Sequence, residues 1–210
     1  MSTHPPPDEA LRPVLESLAA RDPDIARAYD ACGLPPERSS EPGFAGLMRM
    51  IVGQQVSVPS ARAIIARLEA AADPLTPEAF LALDEAAIRA IGFSRQKQLY
   101  GRCLAEDILH GRLDLEALSG MDDEAASAAL VRVRGIGPWT ANIYLLFALR
   151  RPDVWPVDDL AVVVATQRLK GLDGRPGRRE MQAIGEPWRP HRSAAARFLW
   201  HFYRHAGVAL

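Results

Sequence analysis

The chain has 210 residues, 48% of them hydrophobic, enough to bury a core as one domain or a compact pair of lobes. Twenty-five basic residues against 26 acidic ones leave a net charge of −1, which excludes a strongly basic nucleic-acid binder; any surface for a polyanion must be local, built from backbone donors and a few arginines. Cys32 and Cys103 stand far apart and outside any C-x-x-C spacing, so neither a disulfide framework nor a zinc site is expected. The start has no apolar leader and no run reaches the roughly eighteen apolar residues of a membrane span, so a cytoplasmic protein with a frayed start is expected.

Helical periodicity runs through almost the whole chain. Leu11, Val14, Leu15 and Leu18 mark a first helix, and residues 25–32 a second that stops at Gly33-Leu34-Pro35-Pro36. A loop through residues 38–43 leads to a buried helix over 44–52, which ends in the turn Gly53-Gln54-Gln55. Ser57-Val58-Pro59-Ser60 starts an amphipathic helix over 61–71, with Ile64, Ile65 and Leu68 on one face. Thr76 as N-cap and Pro77 behind it open a helix over 78–82, and Asp84 caps 85–91. Gly92-Phe93-Ser94 breaks the pattern before a long helix over about 95–110, and Asp122 or Asp123 starts the next. An apolar helix over 139–149 follows Gly135-Ile136-Gly137. The chain then turns through residues 150–153 and reaches Asp158-Asp159, ahead of an apolar run in which the two aspartates favour a helix start over a strand. The fold class expected is all-α.

The segment Val133-Arg134-Gly135-Ile136-Gly137-Pro138-Trp139-Thr140-Ala141 carries the first chemistry. A Gly-x-Gly turn between two apolar helices lets the backbone approach an anion, since neither glycine has a Cβ to hold it off. Pro138 suits the first helical position, and the free N–H groups with the helix dipole make a phosphate site out of backbone. The plain alternative is a C-cap and nothing more. The pair Asp158-Asp159 offers a carboxylate, or two caps for the following helix.

These motifs, together with Ile51-Val52-Gly53-Gln54-Gln55-Val56-Ser57-Val58 and Glu186-Pro187-Trp188-Arg189 followed by Trp200, resemble the helix-hairpin-helix (HhH-GPD) DNA glycosylases. The match is to the bacterial 3-methyladenine DNA glycosylase II (AlkA-like) group, in a compact form without its N-terminal β domain. The resemblance implies two lobes with the active site in the cleft between them. Residues 1–43 would pack with 152–210 as one lobe, and residues 44–151, with the hairpin, would form the other. It implies a monofunctional enzyme of base excision repair that hydrolyses the N-glycosidic bond of alkylated purines of the 3-methyladenine and 7-methylguanine type, flipped out of duplex DNA. The partner expected is double-stranded DNA carrying damaged bases, bound by a monomer, cytoplasmic and nucleoid-associated, with no membrane. Two other readings stay open: a non-enzymatic module binding distorted DNA, and a glycosylase for deaminated or oxidised bases.

By motif position the resemblance assigns catalysis to Asp159 and leaves Asp158 as cap, with the reverse as the alternative. Trp139 and Trp200 match pocket tryptophans, whose faces favour a cationic base. Ile143 and Leu160 stand at two further pocket positions that can be tyrosine in the family, whereas core packing is expected for Trp155 and Trp188. Gly135, Ile136, Gly137 and Thr140 would hold DNA through the hairpin. Gln55 would fill the space left by the flipped base, and Gln54 would either contact the opposite strand or tie its loop down. In lyase-competent relatives a lysine directly precedes the Thr-Ala after the hairpin; Trp139 stands there, so no lyase activity is expected. No cofactor is required and no iron–sulfur cluster is possible with two cysteines. A Na+ or K+ held by the main-chain carbonyls of Val131, Val133 and Ile136 is a further implication. His201 and His205 read as helix-end charge rather than as a metal pair, and residues 175–179 as a loop facing phosphate or water.

Overall fold

In the computed structural model residues 5–205 are described, and among them twelve α-helices and three short 3-10 turns carry the chain, with one isolated bridge between Pro7 and Pro36. The helices start where the side chains can cap them. Ser57, Thr76, Asp84, Ser94 and Asp122 each accept a hydrogen bond from the backbone N–H three residues on, at 2.7–3.3 Å. Each satisfies a donor the helix itself cannot use.

The chain divides into two compact units. One is continuous, Ser40–Leu149, and holds α3 (Gly43–Gly53), α4 (Val58–Ala71), α5 (Pro77–Leu81), α6 (Glu85–Ile91), α7 (Arg95–Leu109), α8 (Asp123–Val131) and α9 (Pro138–Phe147). α3 is its centre, packing against α4, α7 and α9. Its residues Leu47, Met48, Ile51 and Val52 are wholly buried, with Phe80, Leu104 and Tyr144 among the large side chains around them. The Tyr144 hydroxyl accepts the Gly43 N–H at 2.8 Å, which anchors the first turn of α3. Most boundaries in this unit fall within a residue of the sequence expectation, and two differ by more. α4 begins at Val58 rather than 61, because Ser57 is the cap and Pro59 fits the first turn, and α9 stops at Phe147 rather than 149.

The other unit joins the two ends of the chain, Met1–Ser39 with Arg150–Leu210. It holds α1 (Arg12–Arg21), α2 (Pro23–Cys32), α10 (Leu160–Leu169), α11 (Arg178–Gly185) and α12 (Arg192–His205), with α12 packed on α10, α1 and α2. Asp22 is its polar joint. It caps α2, accepts the Lys170 ammonium at 2.7 and 2.8 Å, and takes the Trp188 indole N–H at 2.8 Å. Trp188 and Trp155 meet edge to face with centroids 5.3 Å apart, and the Trp155 N–H goes to the Met181 carbonyl, so both are core as expected. The expected loop over 175–179 is only half loop, since Arg178 and Arg179 form the first turn of α11.

Candidate active site

Asp159 caps α10: its Oδ1 accepts the Val162 N–H at 2.9 Å. The sequence expectation had given the cap to Asp158, and the structure corrects it. Asp158 is exposed and paired with the Arg178 guanidinium, while Asp159 is 7% exposed. The same Oδ1 accepts the indole N–H of Trp200, on α12, at 3.0 Å. Two donors from different helices therefore fix the plane of one buried carboxylate, a geometry that capping alone does not require. A carboxylate withdrawn from water but kept hydrogen-bonded is suited to stabilise positive charge beside it.

The charge of Asp159 reaches Arg38, which was not singled out from the sequence and which stands among the arginines of α12. Along α12, Arg197, Trp200 and Arg204 fall on one face by helical spacing. Arg38 reaches solvent but is crowded by protein. Burial, then the charges of Arg204 and Arg197, push its guanidinium below the usual arginine range, and the charge of Asp159 opposes them. Arg197 itself is paired with Asp8 and donates to the Arg38 carbonyl at 3.3 Å. Arg38 sits in a loop with no periodicity, so no sequence signal marks it.

His201 and His205 are nearby on α12 but make no metal centre. The His201 Nε2 lies 2.9 Å from the Cys32 carbonyl, and the His205 Nδ1 lies 3.0 Å from the His201 carbonyl. Among the described residues no group of three His, Cys, Asp or Glu could hold an ion. Burial, with the charges of His205 and Arg204 behind it, lowers the His201 pKa, against the pull of the Cys32 carbonyl.

The hairpin belongs to the continuous unit. Gly135 adopts φ +99°, and a Cβ there would stand 2.2 Å from Tyr100 Cγ, so glycine is required by the turn and by the ring packed on it. Open space that a phosphate could use lies at Gly137 instead, where a Cβ would meet nothing within 4 Å. Gly137 is the N-cap of α9 and supplies no side-chain cap, and Pro138 behind it has no N–H to satisfy. Val131, Val133 and Ile136 all line the same groove, but the Val133 carbonyl already accepts the Ile136 N–H at 3.0 Å. Neutral, hard oxygens are the right donor type for an alkali cation, and a carbonyl has a second lone pair to offer one.

That groove has a volume of about 630 Å³. Gln54, Gln55, Lys97, Tyr100, Trp139 and Thr140 line it together with the hairpin. Gln54 ties its loop down: its amide donates to the Gly135 carbonyl at 3.0 Å and to the Thr140 hydroxyl at 3.2 Å. Gln55 is exposed with φ +56°, an uncommon conformation for a residue with a Cβ. Trp139 is 45% exposed on the first turn of α9, more than is usual for a tryptophan. Of the two further pocket positions, Ile143 is 6% exposed and Leu160 is 61% exposed. The structure thus brings Asp159 and Trp200 into contact within one unit, with Leu160 next along α10, while Trp139, Ile143, the glutamines and the hairpin belong to the other. Lys97 and Tyr100 were missed as groove residues, although their i, i+3 spacing on α7 could have placed them on one face.

Residues 48–190 match the family described as HhH-GPD superfamily base excision DNA repair protein. The chain belongs to that superfamily. A relative, DNA-3-methyladenine glycosylase 1 of Schizosaccharomyces pombe, is 32% identical over 171 residues, 79% of this chain and 75% of that one. The crystal structure of DNA-3-methyladenine glycosidase from Bacillus halodurans superposes with a TM-score of 0.81 at 30% identity, covering 93% of this chain and 90% of the other. The S. pombe Mag1 enzyme in complex with abasic DNA gives a TM-score of 0.80 at 28% identity over 93% and 97%. Not all relatives are of this size, since the chain spans 43% and 32% of the length of two curated Bacillus subtilis proteins that it matches. The all-α HhH-GPD fold expected from the motifs is the fold observed.

Proposed function

We propose that this HhH-GPD protein is a monofunctional DNA glycosylase that releases alkylated purines of the 3-methyladenine and 7-methylguanine type from double-stranded DNA. The observation that carries the reading is the buried Asp159 carboxylate held by two donors, one of them the indole of Trp200. Such a charge repels DNA phosphates, so a module that only binds distorted DNA gains nothing from it. The kinship with 3-methyladenine glycosylases supports the substrate class.

In this reading the hairpin grips a phosphate with the N–H groups at Gly137 and the first turn of α9. A Na+ or K+ on the carbonyls of Val131, Val133 and Ile136 would add positive charge to the same grip. Gln55 fills the stack as the damaged nucleotide turns out, and the aromatic face of Trp200, whose N–H is on Asp159, receives a base that carries formal positive charge. As the bond from C1′ to the base nitrogen breaks, its electrons neutralise the leaving purine, so no acid is needed to protonate it. The sugar cation left behind faces the Asp159 carboxylate, water adds its oxygen to C1′, and its proton passes to the carboxylate and on to solvent. With tryptophan where lyases keep their lysine, no Schiff base forms and an abasic site is the product. The protein would work as a monomer in the cytoplasm, on the nucleoid.

Release of 3-methyladenine and 7-methylguanine from methylated duplex DNA tests the reading. Asp159→Asn should lower release by about 10²- to 10⁴-fold with DNA binding kept, and Asp158→Asn should leave release close to wild type. If the wild type frees no alkylated base, the protein is a binding module or acts on another lesion.

A further inference from the structure

Lys97 is one of two lysines in the chain, and the structure gives it a place the proposed reaction does not use. It lies in the first turn of α7, where its own backbone N–H is held by the Ser94 cap at 3.2 Å. Its ammonium donates to the Val52 carbonyl, lines the groove, and has no carboxylate partner among the described residues. Burial lowers the pKa of this amine.

Val52 is the wholly buried penultimate residue of α3, so its carbonyl is one of the acceptors a helix end leaves orphaned. A cation there satisfies the acceptor and matches the negative end of the helix dipole. If α3 continued, the Val52 carbonyl would take the N–H of residue 56. Instead the Gln54 N–H turns back to the Ile51 carbonyl at 3.2 Å, and the chain passes through Gln55 at φ +56°. Three residues beyond Lys97's bond, the strained glutamine stands exposed beside the hairpin groove. The Gln54 amide pins the same turn from the other side, on Gly135 and Thr140.

We infer that Lys97 is a positioning residue that, with Gln54, clamps the end of α3 so that Gln55 is presented in one strained conformation, registered on the hairpin that grips the phosphate. The clamp makes phosphate capture and wedge insertion a single event, because the turn cannot relax without breaking a bond to α7 or to the hairpin. The inference deepens the proposed function and rests on it for the role of Gln55.

The test compares the wild type with Lys97→Gln, Lys97→Arg and Gln55→Ala. The DNA is a duplex carrying 2-aminopurine beside a tetrahydrofuran abasic analogue, whose fluorescence reports local unstacking without any bond cleavage. Release of 7-methylguanine under single turnover is measured alongside, with duplex affinity against salt and thermal melting. Lys97→Gln should melt within a few degrees of wild type, bind DNA within about threefold with an unchanged salt slope, and lose the fluorescence rise and about 10- to 100-fold in release rate, as for a lost charge-assisted hydrogen bond. Lys97→Arg should recover most of both. A salt slope that falls by about one in Lys97→Gln, with unstacking intact, would make Lys97 a phosphate contact and overturn the inference. Unchanged fluorescence, or a large melting loss that arginine does not rescue, overturns it too. No effect of Gln55→Ala on unstacking sinks the wedge itself. A wild type that unstacks DNA but frees no base sinks the glycosylase reading and leaves the clamp standing.

Discussion

Trp200 carries two separable contributions, an aromatic face and an N–H on the Asp159 carboxylate. Trp200→Phe removes the second and keeps most of the first. The expected result is a fall in single-turnover release of about tenfold or more, matching a hydrogen bond to a charged group of roughly 1.5 to 3 kcal/mol, with little loss of affinity for abasic duplex. Equal losses in affinity and rate would mean that stacking is the whole of its role. Gly135 offers a second residue-scale prediction. Alanine there meets both the positive φ and the Tyr100 ring, and should cost about 2 to 4 kcal/mol of stability by urea unfolding, with a smaller cost in Gly135→Ala combined with Tyr100→Ala. At this scale the sequence was legible where a turn dictates residue type, as at Gly135, whose positive φ and Tyr100 neighbour leave no room for a Cβ. It was not legible for Arg38, whose neighbours come from a helix more than 150 positions away. Nor could spacing say which aspartate caps, because adjacent carboxylates at a helix start differ only in which one the preceding turn aims inward.

Among the helices, capping chemistry made most boundaries readable. Thr76-Pro77 and Asp84 mark starts because a short polar side chain is the cheapest acceptor for an orphan N–H. What could not be read was the tertiary use of a cap, and Asp22 is the case in point. It opens α2 and at the same time binds Lys170 from the end of α10 and Trp188 from the turn after α11. Burial works to raise its pKa, but the hydrogen bonds from Lys170 and Trp188 and the Lys170 charge outweigh it, so the folded carboxyl lies below its ordinary value near 3.9. A depressed folded pKa means stability that is fully present above the unfolded value and lost as pH falls through the folded one. Asp22→Asn should therefore be less stable than wild type by about 1 to 3 kcal/mol at pH 7 in urea unfolding, and the gap should start to narrow as pH falls through the unfolded value near 3.9. A gap already closed at pH 5 would show that the ion pair contributes little beyond the cap.

For the molecule as a whole, the near balance of 25 basic and 26 acidic residues constrains how DNA is held. A grip made largely of backbone N–H groups displaces few counterions. The logarithm of duplex affinity against the logarithm of salt should then fall with a slope of about −2 to −4, well short of a protein that neutralises six to ten phosphates. A slope near −8 would mean that the arginines, rather than the hairpin, do most of the holding. Composition carried this much because charge is a sum over residues. It could not locate the arginines of α12 beside Arg38, since that gathering depends on the chain's two ends meeting.

That meeting has a consequence in time. The unit with the hairpin groove is one uninterrupted stretch, whereas the unit with Asp159 needs α1 and α2 from the beginning and α12 from far along the chain, linked by pairs such as Asp8 with Arg197. On a ribosome, everything the groove is built from has been made long before Trp200 emerges to hold the carboxylate. In the proposed function, the part that grasps is then complete while the part that cuts still lacks α12. A chain interrupted before Arg192 should therefore be inert toward the glycosidic bond, and losing α12 should abolish chemistry all at once rather than by degrees.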